Sequence, residues 1–95
     1  MNIVWSVEAV DDLRSLRAFI AKGSPQAARA MALTIVAAIE NLLPENPHSG
    51  RPGRVPGTRE LVIPKTPFIV PYRVQGGALQ ILRIYHSARR WPEQF

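Results

Sequence analysis

Residues 58–85, TRELVIPKTPFIVPYRVQGGALQILRIY, decide the fold because they contain three β-strand patterns in succession. Branched and aromatic side chains are concentrated in residues 58–63, 68–74 and 79–85, as is typical of strands. The connections between these segments are too short for a helical crossover. The pattern therefore predicts an antiparallel meander with a hairpin turn at Gly76-Gly77. Pro71 lacks an amide donor, so it predicts an edge, a bulge or a kink in the middle strand.

A first helix is predicted upstream, after a short strand at residues 2–5. Ser6 is a suitable N-cap residue, and Gly23 ends the helix. Three acidic residues lie in its first half, near the end where the helix dipole favours negative charge: Glu8, Asp11 and Asp12. We interpret these acidic side chains as a solvated face of the helix.

A second helix follows at once, because Ser24 suits the N-cap position and Pro25 the first helical position. Its predicted apolar stripe consists of Ala28, Met31, Ile35, Ile39 and Leu42. Pro44 ends the helix. Two helices joined by so short a turn are expected to form an antiparallel hairpin.

This order of elements predicts an α+β fold in one domain, residues 1–95. We expect an N-terminal strand and an antiparallel helical hairpin packed on an antiparallel sheet of three to four strands. Alternation along the last strand divides its side chains between the two faces. Arg83 and Tyr85 are assigned to the open face, which is the face opposite the helices, and Leu82, Ile84 and His86 to the helix face. A bulge would reverse this assignment.

Charge is distributed unevenly along the 95 residues (10.6 kDa), which carry a net charge of +5 and have a pI near 10.8. Ten of the twelve basic residues are Arg, and residues 49–95 hold eight basic and two acidic side chains. A basic half predicts a polyanionic partner, although a solvated Arg-rich surface is the alternative. The absence of cysteine excludes a disulfide framework, a thiolate metal site and a cysteine nucleophile.

The remaining segments carry few signals of their own. Residues 44–57 form a loop rich in Pro and Gly, and an ordered loop of this length is often functional. We find no signal peptide, no membrane span, no metal-ligand pattern and no motif for a cofactor. We therefore expect a soluble cytoplasmic protein that uses neither metal nor cofactor.

The basic strands nevertheless contain the residue types needed for metal-free RNA cleavage. That reaction requires a base for the 2′-hydroxyl, an acid for the leaving oxygen, and cations for the phosphorane. The candidate catalytic residues are Arg59, Glu60, Arg83, Tyr85 and His86. The candidate nucleic-acid-binding residues are Arg51, Arg54, Arg73, Arg89 and Arg90.

Three of the residues or motifs in this region have a structural alternative. A histidine at a strand end such as His86 is often structural, and Glu60 beside Arg59 is often half of a surface ion pair. Trp91-Pro92 would dock the C-terminal tail on the fold, or it would stack on nucleic acid.

A series of motifs spans nearly the whole chain in a specific order. They are Trp5-Ser6 with Ala9 and Asp12-Leu13, Ile39-x-x-Leu42 with Pro44 and Pro47, and residues 50–53 (GRPG), 57–63 (GTRELVI), 67–74 (PFIVPYRV) and 81–92 (ILRIYHSARRWP). This series resembles the RelE/ParE superfamily of toxins from type II toxin–antitoxin modules. The resemblance implies a bacterial or archaeal operon and a cognate antitoxin that wraps the toxin surface in a hetero-oligomer.

The resemblance covers two activities. RelE-like members act at the ribosomal A site and cut mRNA, and Arg59, Arg83 and His86 match their sites best, followed by Tyr85 and Glu60. ParE-like members share the fold but inhibit DNA gyrase, and their last strand often ends in the Arg-x-x-His-x-x-Arg pattern that Arg83, His86 and Arg89 fit. The chain departs from RelE-like toxins at residues 68–71 (FIVP), which are apolar where many of those toxins are basic.

Three hypotheses follow from these residues. The first is a ribosome-dependent mRNA endoribonuclease, whose partners would be the ribosome and mRNA. The alternative is a gyrase inhibitor that is not an enzyme. The third is a basic binding module without toxicity, or a degenerate toxin.

Overall fold

Two helices and six strands follow one another along the chain in the computed structural model, which describes residues 1–95. The elements are β1 (Asn2–Trp5), α1 (Val7–Ala21), α2 (Pro25–Leu42), β2 (Arg51–Pro52), β3 (Arg59–Val62), β4 (Phe68–Gln75), β5 (Ala78–Ile81) and β6 (Tyr85–His86). Neither helix has the length and apolar character that crossing a bilayer requires.

The strands form one mixed sheet in the order β1-β5-β4-β3-β2, with β6 pairing alongside β4 beyond β5. The pairs within the meander are antiparallel, whereas β1 pairs with β5 in parallel. The α+β class is confirmed. The sheet is wider than the predicted three to four strands, because β2 forms within the loop and β6 continues the sheet after an interruption. The helical hairpin between β1 and the meander is long enough to permit the parallel pairing.

Both predicted helix caps are present. The Ser6 hydroxyl accepts a hydrogen bond from the Ala9 N–H (2.9 Å) and donates one to the Leu82 carbonyl (2.8 Å). Ser24 accepts from the Ala27 N–H at 3.1 Å, and Pro25 occupies the first helical position. The second bond of Ser6 ties the start of α1 to the end of β5, so this residue also fixes the helix on the sheet.

The core lies between α1, α2 and one face of the sheet. Its buried members are Ala9, Ile35, Ile39, Leu43, Leu61, Ile63, Phe68, Val70, Tyr72, Leu79, Ile81 and Ile84. The predicted stripe of α2 is correct except at its end, where Leu42 is 37% exposed and Leu43 is buried. The stripe advances in steps of four residues from Met31 through Ile35 and Ile39, and the next step reaches Leu43.

A bulge opposite Pro71 separates β5 from β6. Tyr72 pairs with Ile81 but Ile69 pairs with Tyr85, so the register shifts by one residue between these two pairs. The Leu82 N–H donates to the Pro71 carbonyl at 3.0 Å. Pro71 has no N–H that could donate a second hydrogen bond to this strand. This missing donor is the reason that the sequence predicts an edge, a bulge or a kink at this position.

The bulge decides which side chains reach each face. Ile84 lies in the core and Tyr85 on the open face, as predicted. The assignment of Leu82 to the helix face is wrong, because Leu82 lines a cleft on the open face. Arg83 lines the same cleft, as its assignment to the open face predicts, and it also reaches an acidic side chain of α1. The extra residue of the bulge interrupts the regular alternation of side chains between the two faces. The alternation resumes at Ile84, which faces the core.

Candidate functional site

Glu60 lies on β3 at the centre of an ion cluster, where its own side chain is only 2% exposed and those of its two arginine partners are half-exposed. The Arg51 side chain donates to its Oε1 atom at 2.9 and 3.0 Å. Arg54 donates its backbone N–H (2.8 Å) and its Nε (3.1 Å) to Oε2, and its Nη2 (3.2 Å) to Oε1. The predicted ion pair of Glu60 therefore exists, but its partners are Arg51 and Arg54 and not Arg59.

These bonds make the Glu60 carboxylate a poor proton acceptor near neutral pH. Burial acts to raise the pKa of Glu60, but hydrogen bonds from Arg54 and then Arg51 outweigh it and leave the pKa below the ordinary value of 4.5. Both carboxylate oxygens already accept charged or backbone donors. The cluster fixes the loop around residues 51–54 on the edge of the sheet.

Arg83 is bound to Asp12 across the boundary between sheet and helix. Its Nε and Nη2 atoms donate to the two Asp12 oxygens at 2.8 and 2.9 Å, and the Ile84 N–H adds a third bond at 2.9 Å. The hydrogen bonds to Asp12 raise the pKa of Arg83. The guanidinium is therefore a permanent and neutralised charge. The interpretation of Asp12 as part of a solvated face is wrong, because sequence spacing does not show that α1 passes this strand.

Arg59 is bound to the loop that precedes β2. Its Nη1 atom donates to the carbonyls of His48 (3.1 Å) and Gly50 (2.8 Å). The Tyr72 hydroxyl supports the same loop, since it donates to the Pro47 carbonyl at 2.8 Å and accepts from the Gly50 N–H at 2.9 Å. Arg59 thus stabilises a loop that has few backbone bonds of its own.

Tyr85 is covered by the C-terminal segment, which we define as residues 87–95. The ring is 1% exposed and contacts Trp91 edge-on, with centroids 5.0 Å apart, and Phe95 at 6.2 Å. The guanidinium carbons of Arg83 and Arg89 lie 4.8 and 4.4 Å from its centroid. The interpretation that Trp91 docks the C-terminal tail is confirmed. Tyr85 therefore has no free face on which a base could stack.

His86 points away from Tyr85, as the alternation of a strand requires. It is exposed, its Nδ1 accepts from the Ala88 N–H at 3.1 Å, and its ring meets Phe68 edge-on at 5.9 Å. It lies at the rim of a groove of about 640 Å³ beside Leu16 and Phe19 of α1. Among the proton-transfer candidates, His86 alone has an exposed side chain.

Within the basic half of the chain, residues 49–95, three of the seven arginines have side chains that form neither a hydrogen bond nor an ion pair. Arg73, Arg89 and Arg90 all line one cleft of about 630 Å³ on the open face, together with Tyr85 and Trp91. The Nε atom of Arg73 is buried without a hydrogen-bond partner. Glu8 is the one acidic residue at this cleft. The structure thus brings three of the predicted binding residues together as uncompensated charges.

Five of the ten predicted site residues line the open-face cleft, namely Arg73, Arg83, Tyr85, Arg89 and Arg90, and the other five lie elsewhere. Glu60, Arg83 and Arg59 have structural partners, Tyr85 is covered, and His86 lies at the rim of a different groove. The cleft of free arginines is the remaining place where several predicted residues face solvent together.

Known proteins match this chain along nearly its whole length. Residues 3–91 match a family described as the ParE toxin of the type II toxin–antitoxin system parDE. Toxin Y4kP of Sinorhizobium fredii is 40% identical over 97% of this chain and 94% of its own length. Toxin RelE2 of Caulobacter vibrioides is 37% identical over 93% of this chain and 97% of its own.

A solved structure has the same fold. A chain of the chromosomal ParDE toxin–antitoxin system from P. aeruginosa superposes with a TM-score of 0.81 and 34% identity, covering 90% of this chain and 95% of the other. The comparison of sequences and the comparison of structures therefore assign the chain to the same family. The chain belongs to the ParE toxin family, within the RelE/ParE superfamily of type II toxin–antitoxin toxins.

Proposed function

We propose that this toxin inhibits DNA gyrase and is not a nuclease. A single observation carries the proposal: the carboxylate and the arginines that a metal-free nuclease would use are already bonded within the fold. Glu60 accepts from Arg51 and Arg54, and Arg83 is paired with Asp12.

The chemistry of RNA cleavage explains why these bonds matter. Two proton-transfer groups must reach the same phosphate, and cations must stabilise the charge that develops on it. Glu60 has a lowered pKa and no open lone pair, and the charge of Arg83 is neutralised by a bidentate partner. His86 and Tyr85 are directed to opposite faces of the sheet. No two of the candidates for proton transfer, Glu60, Tyr85 and His86, are therefore placed to act as acid and base on the same phosphate.

The family model and the superposed structure support the same choice, whereas one relative is named toxin RelE2. The matching family is that of the ParE toxin, and the superposed structure belongs to a ParDE system. ParE-like members of the superfamily inhibit gyrase without a nuclease site. A type II toxin also implies an antitoxin partner, which would hold the activity in check.

A ribosome-dependent endoribonuclease is the second candidate function. The exposed side chain of His86, which shares a groove with Arg89, is the observation that favours it. This candidate would be supported if the toxin cut mRNA on ribosomes in a manner that depends on His86.

A supercoiling assay with purified DNA gyrase tests the proposal. We expect the toxin to inhibit ATP-dependent supercoiling of a relaxed plasmid, and we expect added cognate antitoxin to restore it. The same preparation is then incubated with translating ribosomes and mRNA. Unaffected supercoiling together with mRNA cleavage would overturn the proposal.

A further inference from the structure

Arg54 joins two parts of the molecule that are far apart in sequence. On one side it donates to the buried carboxylate of Glu60. On the other side its guanidinium carbon lies 3.8 Å from the centroid of the Trp91 ring, which is a close cation–π contact. A single side chain thus connects the ion cluster of the loop with the C-terminal segment.

The C-terminal segment depends on such side-chain contacts for its position. The Ser87 and Arg89 N–H groups donate to the carbonyls of Pro67 (2.7 Å) and His86 (2.9 Å), and no hydrogen bond to residues 90–95 is present. Beyond Arg89, the aromatic and cation–π contacts of the segment with the rest of the fold are Trp91 on Arg54 and Tyr85, and Phe95 on Tyr85. Loss of the Arg54 contact should therefore weaken the attachment of the segment, while the contacts of Trp91 and Phe95 with Tyr85 remain.

The position of the segment determines where two free charges lie. Arg89 and Arg90 belong to the segment, and Arg73 belongs to β4 beneath it. These three arginines have no carboxylate partner, and Glu8 is the one acid at their cleft. An arginine fork matches the geometry of a phosphate group, and clustered unpaired arginines attract a nucleic-acid backbone.

We propose that Arg73, Arg89 and Arg90 form a binding surface for DNA phosphates, and that Arg54 is the positioning residue that holds two of them in place. The inference rests on the proposed function in naming DNA as the polyanion, because gyrase works on a DNA duplex. Arg54 itself does not contact DNA in this proposal. It acts through Trp91.

The position of the segment is tested by trypsin cleavage after Arg90, measured by mass spectrometry on Arg54→Ala and Trp91→Ala. We expect cleavage to be roughly three- to tenfold faster than in the unmodified protein, as the loss of one cation–π contact implies. Arg51→Ala is the matched control, since it also removes one positive charge and two hydrogen bonds to Glu60, while Arg51 makes no cation–π contact with Trp91. We expect its cleavage to stay within about twofold. Equal acceleration in Arg51→Ala and Arg54→Ala would overturn the positioning role.

DNA binding is tested separately by fluorescence anisotropy with a labelled duplex of arbitrary sequence. We expect Arg89→Ala and Arg90→Ala each to reduce the slope of log K against log salt concentration by about 0.9. Trp91→Ala, which keeps every charge, should weaken binding by roughly three- to tenfold. Arg29→Ala, on the exposed surface of α2, removes the same charge elsewhere and should leave the slope unchanged.

The outcomes separate this inference from the proposed function. If the cleft variants bind DNA like Arg29→Ala, the phosphate surface is wrong. If those same variants instead lose affinity for the antitoxin, the cleft recognises a protein. Neither assay contains gyrase, so a toxin that binds DNA through these residues without inhibiting supercoiling would contradict the proposed function alone.

Discussion

At the scale of single residues, sequence drew attention to Glu60 but could not assign its role. It is the one carboxylate within the basic strands, which made it a candidate base. Its partners depend on the pairing of Arg51 with Glu60 between β2 and β3. Because β2 has two residues within a loop rich in Pro and Gly, it has no periodicity that sequence analysis could detect. The chemical role of Glu60 thus follows from a pairing that sequence does not show.

Replacing Glu60 by Gln should destabilise the protein in a pH-dependent way. The pKa of Glu60 is lowered on folding, so its stabilisation is fully present above about pH 4.5 and is lost as the pH falls through the folded-state pKa. We expect Glu60→Gln to lower the free energy of unfolding by about 1–3 kcal/mol at pH 7, and the difference from the unmodified protein to shrink below pH 4.5. Urea unfolding across this range measures it. Glu40→Gln, at an exposed position, is the control. A difference that stays constant with pH would contradict the role of the ion cluster.

His86 provides a second test at this scale. If the toxin inhibits gyrase without nuclease chemistry, His86→Ala should reduce supercoiling inhibition by less than about threefold, since the loss of an exposed side chain is usually mild. A ribonuclease that used His86 for proton transfer would lose about 10²–10⁴-fold in rate. Dose–response curves for inhibition and a primer-extension assay of mRNA distinguish the two results. Loss of toxicity together with loss of mRNA cleavage would favour the ribonuclease.

At the scale of elements, local signals predicted much of the fold. Ser6 and Ser24 marked the helix starts, and the meander followed from short connections and the turn at Gly76-Gly77, both of which have positive φ. The parallel pairing of β1 with β5 was not predictable from local pattern, because it joins residues 2–5 to residues 78–81. The bulge after β5 likewise changed the face of Leu82. Pairing partners and register are long-range properties, and periodicity reports only local ones.

The contact between α1 and the bulge predicts a large difference between two adjacent acids. Asp12→Asn should lower the free energy of unfolding by about 1.5–3 kcal/mol, because it removes charge-assisted bonds to Arg83 and weakens the acceptor of the Ile84 N–H. Asp11→Asn, one position earlier and exposed, should change it by less than about 0.5 kcal/mol. Thermal and urea unfolding of both variants measure the difference. Equal effects would show that the Arg83–Asp12 pair does not stabilise the fold.

At the scale of the whole molecule, the sequence predicts a basic second half but does not show which of its arginines form ion pairs within the fold. The fold divides them into arginines that stabilise the structure, such as Arg51, and arginines that remain free in the cleft of the open face. The number of charges available to a partner is therefore smaller than the net charge of the second half indicates. Composition alone cannot separate paired from free arginines, because the pairing depends on which guanidinium groups the fold places next to a carboxylate.

The central claim, that the toxin acts on DNA gyrase without nuclease activity, is tested most directly in cells that lack the antitoxin. After induction of the toxin, incorporation of labelled thymidine and labelled methionine is followed together over the first minutes. Gyrase inhibition predicts that thymidine incorporation falls first while methionine incorporation continues. An immediate loss of methionine incorporation with DNA synthesis intact would contradict the claim and assign the toxin to the ribonucleases.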